Sequence, residues 1–163
     1  MASTTEIEFR AAAFDSGDGA LLAQAMRDEM AVIYAGVNMD AWHMSAATAA
    51  GLEPPYGTFL VGYEDNEPIC CGGVKRLDEQ HCEIKRMYVV PGARGRGVAR
   101  RLLGALEHAA RELGYPVARL VTGPRQPAAQ HLYESEGYAP IGDYRGDGIA
   151  SFFGEKPLGP ATG

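Results

Sequence analysis

The stretch Val89-Val90-Pro91-Gly92-Ala93-Arg94-Gly95-Arg96-Gly97-Val98-Ala99-Arg100-Arg101-Leu102-Leu103 decides how this chain is read. An apolar, strand-like segment meets a Pro-Gly turn, passes through the glycines at 92, 95 and 97, and opens into an amphipathic helix. The start of a helix leaves its first N–H groups unpaired and gathers the partial positive charge of the helix dipole. Glycines let the backbone come close to a ligand, and Arg94 and Arg96 add full positive charge. The pattern therefore implies a seat for a phosphate or pyrophosphate.

Working outward, the helix after the glycines spans residues 95–113. Its apolar face is Val98, Leu102, Leu103, Leu106, Ala109, Ala110 and Leu113, and Gly114 ends it. Upstream, residues 58–63, 69–77 and 82–90 are strand-like and separated by short polar turns, as in an antiparallel meander. Residues 64–68 form the first of those turns. Residues 5–11 alternate as a strand, and residues 20–34 carry apolar side chains at helical spacing before Gly36. A further short helix is expected over residues 40–50.

Downstream come a strand at 117–122, a short helix at 127–136 opened by Pro127 and closed by Gly137, and strands at 138–141 and 149–153. A Gly-rich connection over residues 142–148 joins the last two strands. With helices crossing between some strands and hairpins elsewhere, the expectation is a mixed α/β fold. It has a central, mostly antiparallel sheet of about six to seven strands flanked by about four helices. No repeat or linker interrupts the 163 residues, so one domain is expected, with residues 159–163 as a flexible tail.

Composition narrows the function. Hydrophobic residues make up 46% and charged residues 22%, ordinary for a globular chain. A formal charge of −6 disfavours nucleic acid as a partner. No apolar run is long enough to cross a bilayer, and the first residues lack the basic and apolar regions of a signal peptide. A cytoplasmic location without membrane association is therefore expected. Cys70, Cys71 and Cys82 are odd in number, and the adjacent pair in a strand should point to opposite faces, which fits reduced, buried thiols. His43, His81, His108 and His131 are scattered without metal-like spacing, so no metal is expected. The basic cluster on an acidic body suits an anionic cofactor and leaves the remaining surface to attract a cationic substrate.

Three phosphate motifs compete for the glycine loop. A P-loop requires Lys followed by Ser or Thr, which is absent here. A dinucleotide fingerprint beginning at Gly95 would need a third glycine where Arg100 stands, and the next strand lacks the acid expected for a ribose. The third fits: Arg94-x-x-Gly97-x-Ala99 matches the acyl-CoA signature Gln/Arg-x-x-Gly-x-Gly/Ala. The segment Ala129-Gln130-His131-Leu132-Tyr133-Glu134-Ser135-Glu136-Gly137-Tyr138 resembles a second family pattern, Ala-x-x-Leu-Tyr-x-x-x-Gly-Phe/Tyr. With the strand ending at Met87-Tyr88-Val89, these residues mark a resemblance to the GCN5-related N-acetyltransferase (GNAT) superfamily, in element order as well as in motif.

That resemblance implies transfer of acetyl from acetyl-CoA to a primary amine of a small molecule or peptide, by direct attack in a ternary complex and without a metal. It implies that backbone N–H groups of Arg94, Gly95, Arg96, Gly97, Val98 and Ala99 hold the CoA pyrophosphate. Val89 backbone groups would bind pantetheine, and the Met87 or Tyr88 N–H would polarise the thioester carbonyl. Gln126 stands where relatives often carry an Asn that contacts pantetheine. Tyr133 would protonate the leaving thiolate, with packing on the sheet as its plain structural role. Glu83 would act as general base or amine anchor, unless it is paired structurally with Lys85 or Arg86. Glu29, Tyr34 and Tyr56 lie on elements that usually face the acceptor. A non-catalytic acyl-CoA-binding sensor is the alternative, and the assembly would be a monomer or homodimer.

Overall fold

The computed structural model describes residues 6–36, 49–146 and 152–159. Seven strands form one sheet: β1 (Glu8–Ala11), β2 (Thr58–Glu64), β3 (Glu67–Arg76), β4 (His81–Val89), β5 (Val117–Thr122), β6 (Ala139–Pro140) and β7 (Phe152–Pro157). Their spatial order is β1-β2-β3-β4-β5-β7-β6, and every neighbouring pair is antiparallel except β4 and β5. Among the described residues there are three α-helices: α1 (Gly17–Ile33), α2 (Val98–Glu112) and α3 (Pro127–Ser135). The expected helix over 40–50 falls mostly outside the described residues, and its end at Ala49–Leu52 is a 3-10 turn.

Several boundaries move for local reasons. The first hairpin closes through Asp65 and Asn66 alone, with φ of 51° and 65°, so Glu67 and Pro68 belong to β3 and not to the turn. Paired positive φ values match the right-handed twist of the flanking strands, and Asn and Asp tolerate them. Helix α2 starts at Val98, not at residue 95. Gly97 occupies its N-cap in the left-handed region (φ 77°), which frees the preceding loop from the helix. Strand β7 runs to Pro157, whereas the sequence reading stops at residue 153. Gly154 and the charged Glu155-Lys156 pair break the apolar pattern without breaking the ladder to β5. The start of that expected strand lies outside the described residues.

The sheet is covered on both faces. One core holds Leu102, Leu103, Leu106 and Ala110 of α2 against Cys70, Val74, Cys82, Ile84 and Leu120. The other holds Leu22, Met26 and Met30 of α1 with Leu52, Phe59, Val61, Cys71 and Tyr88. Cys70 and Cys71 thus face opposite cores, and all three cysteines are free and buried. Burial pushes their thiols up to about 11, 12 and 12 for Cys70, Cys71 and Cys82, so they stay protonated. Gly72 permits the closest approach of α2 to the sheet, since a Cβ there would lie 2.6 Å from Leu106 Cδ1.

Two irregularities of β4 create the space for a site. Cys71 pairs with Tyr88 and Gly73 with Lys85, so Gly72 faces both Arg86 and Met87, and Arg86 adopts φ 61°. A one-residue bulge reverses the in–out alternation of the strand beyond it. Cys82 and Ile84 precede the bulge on the α2 face; Met87 and Val89 come after it on that same face. In addition, β4 pairs with β5 only from His81 to Glu83, after which the two parallel strands part.

Candidate functional site

Two clefts open where β4 and β5 separate. The first, on the side of the glycine loop, is lined by Met87, Tyr88 and Val89, by the loop and the first residues of α2, and by Leu132 and Tyr133 of α3. Of the residues expected to hold CoA, all line this cleft except Arg96 and Gln126. Gly95 and Gly97 have φ of 80° and 77°, and nothing lies within 4 Å of where a Cβ would sit on either. The backbone is therefore bare toward the cleft, at the amino end of α2, as an anion seat requires.

Arg94, Arg96 and Arg100 of this segment are engaged by carboxylates. Arg94 donates to Glu29 Oε2 at 2.6 Å and, through Nε, to the Val89 carbonyl at 2.9 Å. Arg96 binds Glu64 in a fork of 3.0 and 3.1 Å and turns away from the cleft. Arg100 lines the cleft and pairs with Glu136. The hydrogen bond from Arg94 holds the Glu29 carboxyl below its ordinary range. Glu29, expected near the acceptor, thus stands at the glycine loop.

The second cleft lies on the other side of the strand separation. Its walls are Met26 and Met30 of α1, Glu83, Lys85 and Arg86 of β4, Thr122 at the end of β5 and Gly123 after it, Gln126, and Arg145. Met87, Ala129 and Tyr133 line both clefts. The Tyr133 hydroxyl lies 3.7 Å from Met87 Sδ, and burial alone pushes its phenol up to about 12. Tyr133 thus stands at the junction of the two clefts and holds its proton at neutral pH.

Glu83 is buried and held by three groups: the Tyr144 hydroxyl at 2.7 Å, Arg145 at 2.6 Å and Lys85 at 3.4 Å. Burial raises its pKa, the largest single influence, but Arg145, Lys85 and the hydrogen bonds together outweigh it. The carboxyl sits below its ordinary value. Arg86 instead reaches toward the Phe14 ring, with Cζ 5.6 Å from the centroid. Tyr34 donates to Gln126 Oε1 at 3.0 Å, joining the end of α1 to the turn before α3, and lines neither cleft. Tyr56 is exposed, stacks under Arg76 and is likewise absent from both walls.

Sequence reasoning missed Tyr144 and Arg145. They sit in the Gly-rich connection, where a Tyr-Arg pair between glycines was the one available signal. Among the described residues, no three His, Cys, Asp or Glu side chains gather as a metal site would need. No helix there is long and apolar enough to cross a membrane.

A sheet split between two parallel strands, with a glycine loop and helix at the split, defines an acyl-CoA-type transferase fold. Comparison with known proteins agrees: the Acetyltransferase (GNAT) family model matches residues 21–138. This chain belongs to the GNAT acetyltransferase family. It is 38% identical over 112 residues to an "IAA acetyltransferase" of Azospirillum brasilense, covering 66% of this chain and 72% of that protein. A crystal structure of an acyl-CoA N-acyltransferase from Klebsiella pneumoniae superposes with TM-score 0.72 at 26% identity, over 93% of this chain and 97% of that one. The PaiA N-acetyltransferase of Thermoplasma acidophilum, crystallised with coenzyme A, has the same fold at 20% identity and TM-score 0.72. That match covers 93% of this chain and 99% of PaiA.

Proposed function

We propose that this chain is an N-acetyltransferase that moves acetyl from acetyl-CoA to the amine of a small molecule or peptide, in one domain and within a ternary complex. The observation that carries the proposal is the meeting of two clefts at Tyr133 and Met87. One cleft has the bare backbone of an anion seat, and the other has polar groups suited to an acceptor. Acetyl-CoA supplies the activated acetyl group. The N–H groups of residues 94–99 hold its pyrophosphate, and Val89 flanks the pantetheine path. The N–H of Met87 or Tyr88 polarises the thioester carbonyl.

Tyr133 gives its hydroxyl proton to the departing sulfur. The pKa that burial gives it keeps the proton available over the whole neutral range. Glu83 is a poor proton acceptor because its carboxylate is already saturated and its pKa lowered. In this mechanism it positions Lys85 and Arg145. The cations around the acceptor cleft depress the pKa of the ammonium, so it gives its first proton to solvent water before attack; the proton that the nitrogen sheds on forming the amide replaces the one that Tyr133 gave to the sulfur.

Purified protein incubated with acetyl-CoA and a broad amine panel is expected to release thiol in proportion to acetylated amine. CoA binding with no release on any amine would instead indicate a sensor. The donor seat gives a second expectation. Glu29→Gln removes the carboxylate that competes with a phosphate for Arg94, so CoA should bind a few-fold tighter by calorimetry, with the gain shrinking as salt is added. Weaker binding in that variant would show that Glu29 orients Arg94 and does not compete with the ligand.

A further inference from the structure

The acceptor cleft has a charge that the composition of the chain does not suggest. Among the described residues its walls hold one carboxylate, Glu83, against the three cations Lys85, Arg86 and Arg145. Lys75 and Arg27 add positive charge nearby, as felt at Lys85 and Arg86 respectively. Lys85 and Arg86 are only 9% and 6% exposed. Burial, and the like charges around them, hold both below their ordinary pKa, Lys85 at about 8. Cations crowded together out of water destabilise one another unless an anion joins them.

Lys85 has the spare capacity to receive that anion. An ammonium offers three donors, and among the described residues its ion-pair contact is a long one, 3.4 Å to Glu83 Oε1. Thr122, 5% exposed, lines the same cleft, and its Oγ1 is buried without a hydrogen-bond partner among the described residues. A buried hydroxyl left unpaired is costly, so a ligand oxygen there is a natural partner. The donors already assembled show which anion fits. Arg145 at 2.6 Å, Tyr144 at 2.7 Å and Lys85 converge on the planar carboxylate of Glu83. Apart from Gln126 and Tyr133, the rest of the wall is apolar, with Met26, Met30, Ile84 and Val121.

We propose that the acceptor is an amine that also bears a carboxylate, held by Lys85 with Thr122 and the Arg145 guanidinium beside it, with an apolar body against Met26 and Met30. This rests on the acetyl-transfer reading above. It replaces the expectation of a cationic acceptor drawn from net charge: the acid residues lie on the body of the protein, while the cleft is positive. A polycation would be repelled there. A zwitterion enters with its carboxylate neutralised, and its ammonium, set among cations, gives up its proton more easily and so becomes a nucleophile.

The test is thiol release from acetyl-CoA with α-, β- and γ-amino acids and dipeptides, each paired with its own carboxamide, beside spermidine and O-phosphoethanolamine. The best acid is expected to exceed its carboxamide by roughly 10-fold or more in kcat/KM, because an unmatched buried charge is rejected strongly. Lys85→Gln should raise KM for the acid by about 10-fold, leave KM for acetyl-CoA unchanged and erase the acid–amide difference, and Lys85→Arg should restore most of it. Thr122→Val, which exchanges the hydroxyl for a methyl of similar size and guards against a misfolded Lys85 variant, should narrow the acid–amide ratio a few-fold.

Carboxamides or spermidine serving as well as the acids would overturn the carboxylate assignment and leave acetyl transfer standing. So would a better rate with O-phosphoethanolamine, or equal losses for acid and amide in both the Lys85→Gln and Thr122→Val variants. Tight CoA binding without thiol release on any acceptor would overturn the transfer reading and this proposal with it.

Discussion

Replacing Tyr133 with Phe is expected to lower kcat by roughly 100-fold or more, the usual worth of a positioned general acid, while KM for acetyl-CoA and the unfolding temperature hardly move. The change removes a single oxygen. Among the described residues that hydroxyl makes one long contact, 3.7 Å to the Met87 sulfur, so its loss takes away little native-state bonding. The ring keeps its edge-on packing against Tyr138, centroids 6.2 Å apart. A group that is nearly idle structurally and sits where two clefts join is the one expected to serve the proposed transfer. Because the phenol is pushed up to about 12, the wild-type rate should hold through pH 10 as far as this residue is concerned. The Phe variant should also lose less with acyl donors whose leaving thiol is more acidic and so needs no proton. Thiol release for both proteins, with acetyl-CoA and with an acetyl thioester of an acidic thiol, checks this. An unchanged kcat in the variant removes Tyr133 from the chemistry.

The donor half of the site was legible because its physics is local. Glycines at 95 and 97 imply positive φ, the helical spacing from Val98 to Leu106 implies α2, and together they place bare N–H groups at one point of the chain. The same locality made Ala129–Tyr138 readable as the helix that brings Tyr133 to the sheet.

The acceptor half was not legible, for two reasons. The bulge at Arg86 reverses the facing of β4, so strict alternation from Cys82 and Ile84 assigns Arg86, a wall of the acceptor cleft, to the α2 side. The partners of Glu83 also come from Tyr144 and Arg145, 61 and 62 residues away, in a segment whose glycines signal only a connection. Net charge is also a poor guide to a cleft. It sums over the surface, whereas an acceptor feels the few groups that line its cleft. The carboxylates that balance Arg94, Arg96 and Arg100 come from α1, β2 and the end of α3, so the seat that looks strongly basic in sequence is neutralised pair by pair in space.

Glu83→Ala is expected to destabilise the fold by about 3–5 kcal/mol, the cost of leaving a buried ion-pair network without its anion. For a chain of this size that corresponds to a fall of roughly 10 °C in Tm. With the carboxylate gone, Arg145 and Tyr144 lose their partner and Lys85 loses the anion that holds its proton on. Lys85 should then titrate below its wild-type value of about 8. The loss depends on pH with a definite sign. The Glu83 carboxyl has a lower pKa in the folded protein than its ordinary 4.5, so its stabilisation is complete above that value. It disappears as pH falls through the lowered one. Wild type and variant should therefore differ most at neutral pH and converge in acid, as urea titrations at several pH values would show. Adding Lys85→Met to Glu83→Ala should recover part of the loss, since it removes a cation that the first change stranded, whereas independent sites would only add their costs. If the double variant is less stable than Glu83→Ala alone, Lys85 is held by packing and not by charge. The positive cleft would then have to be assigned to Arg86 and Arg145.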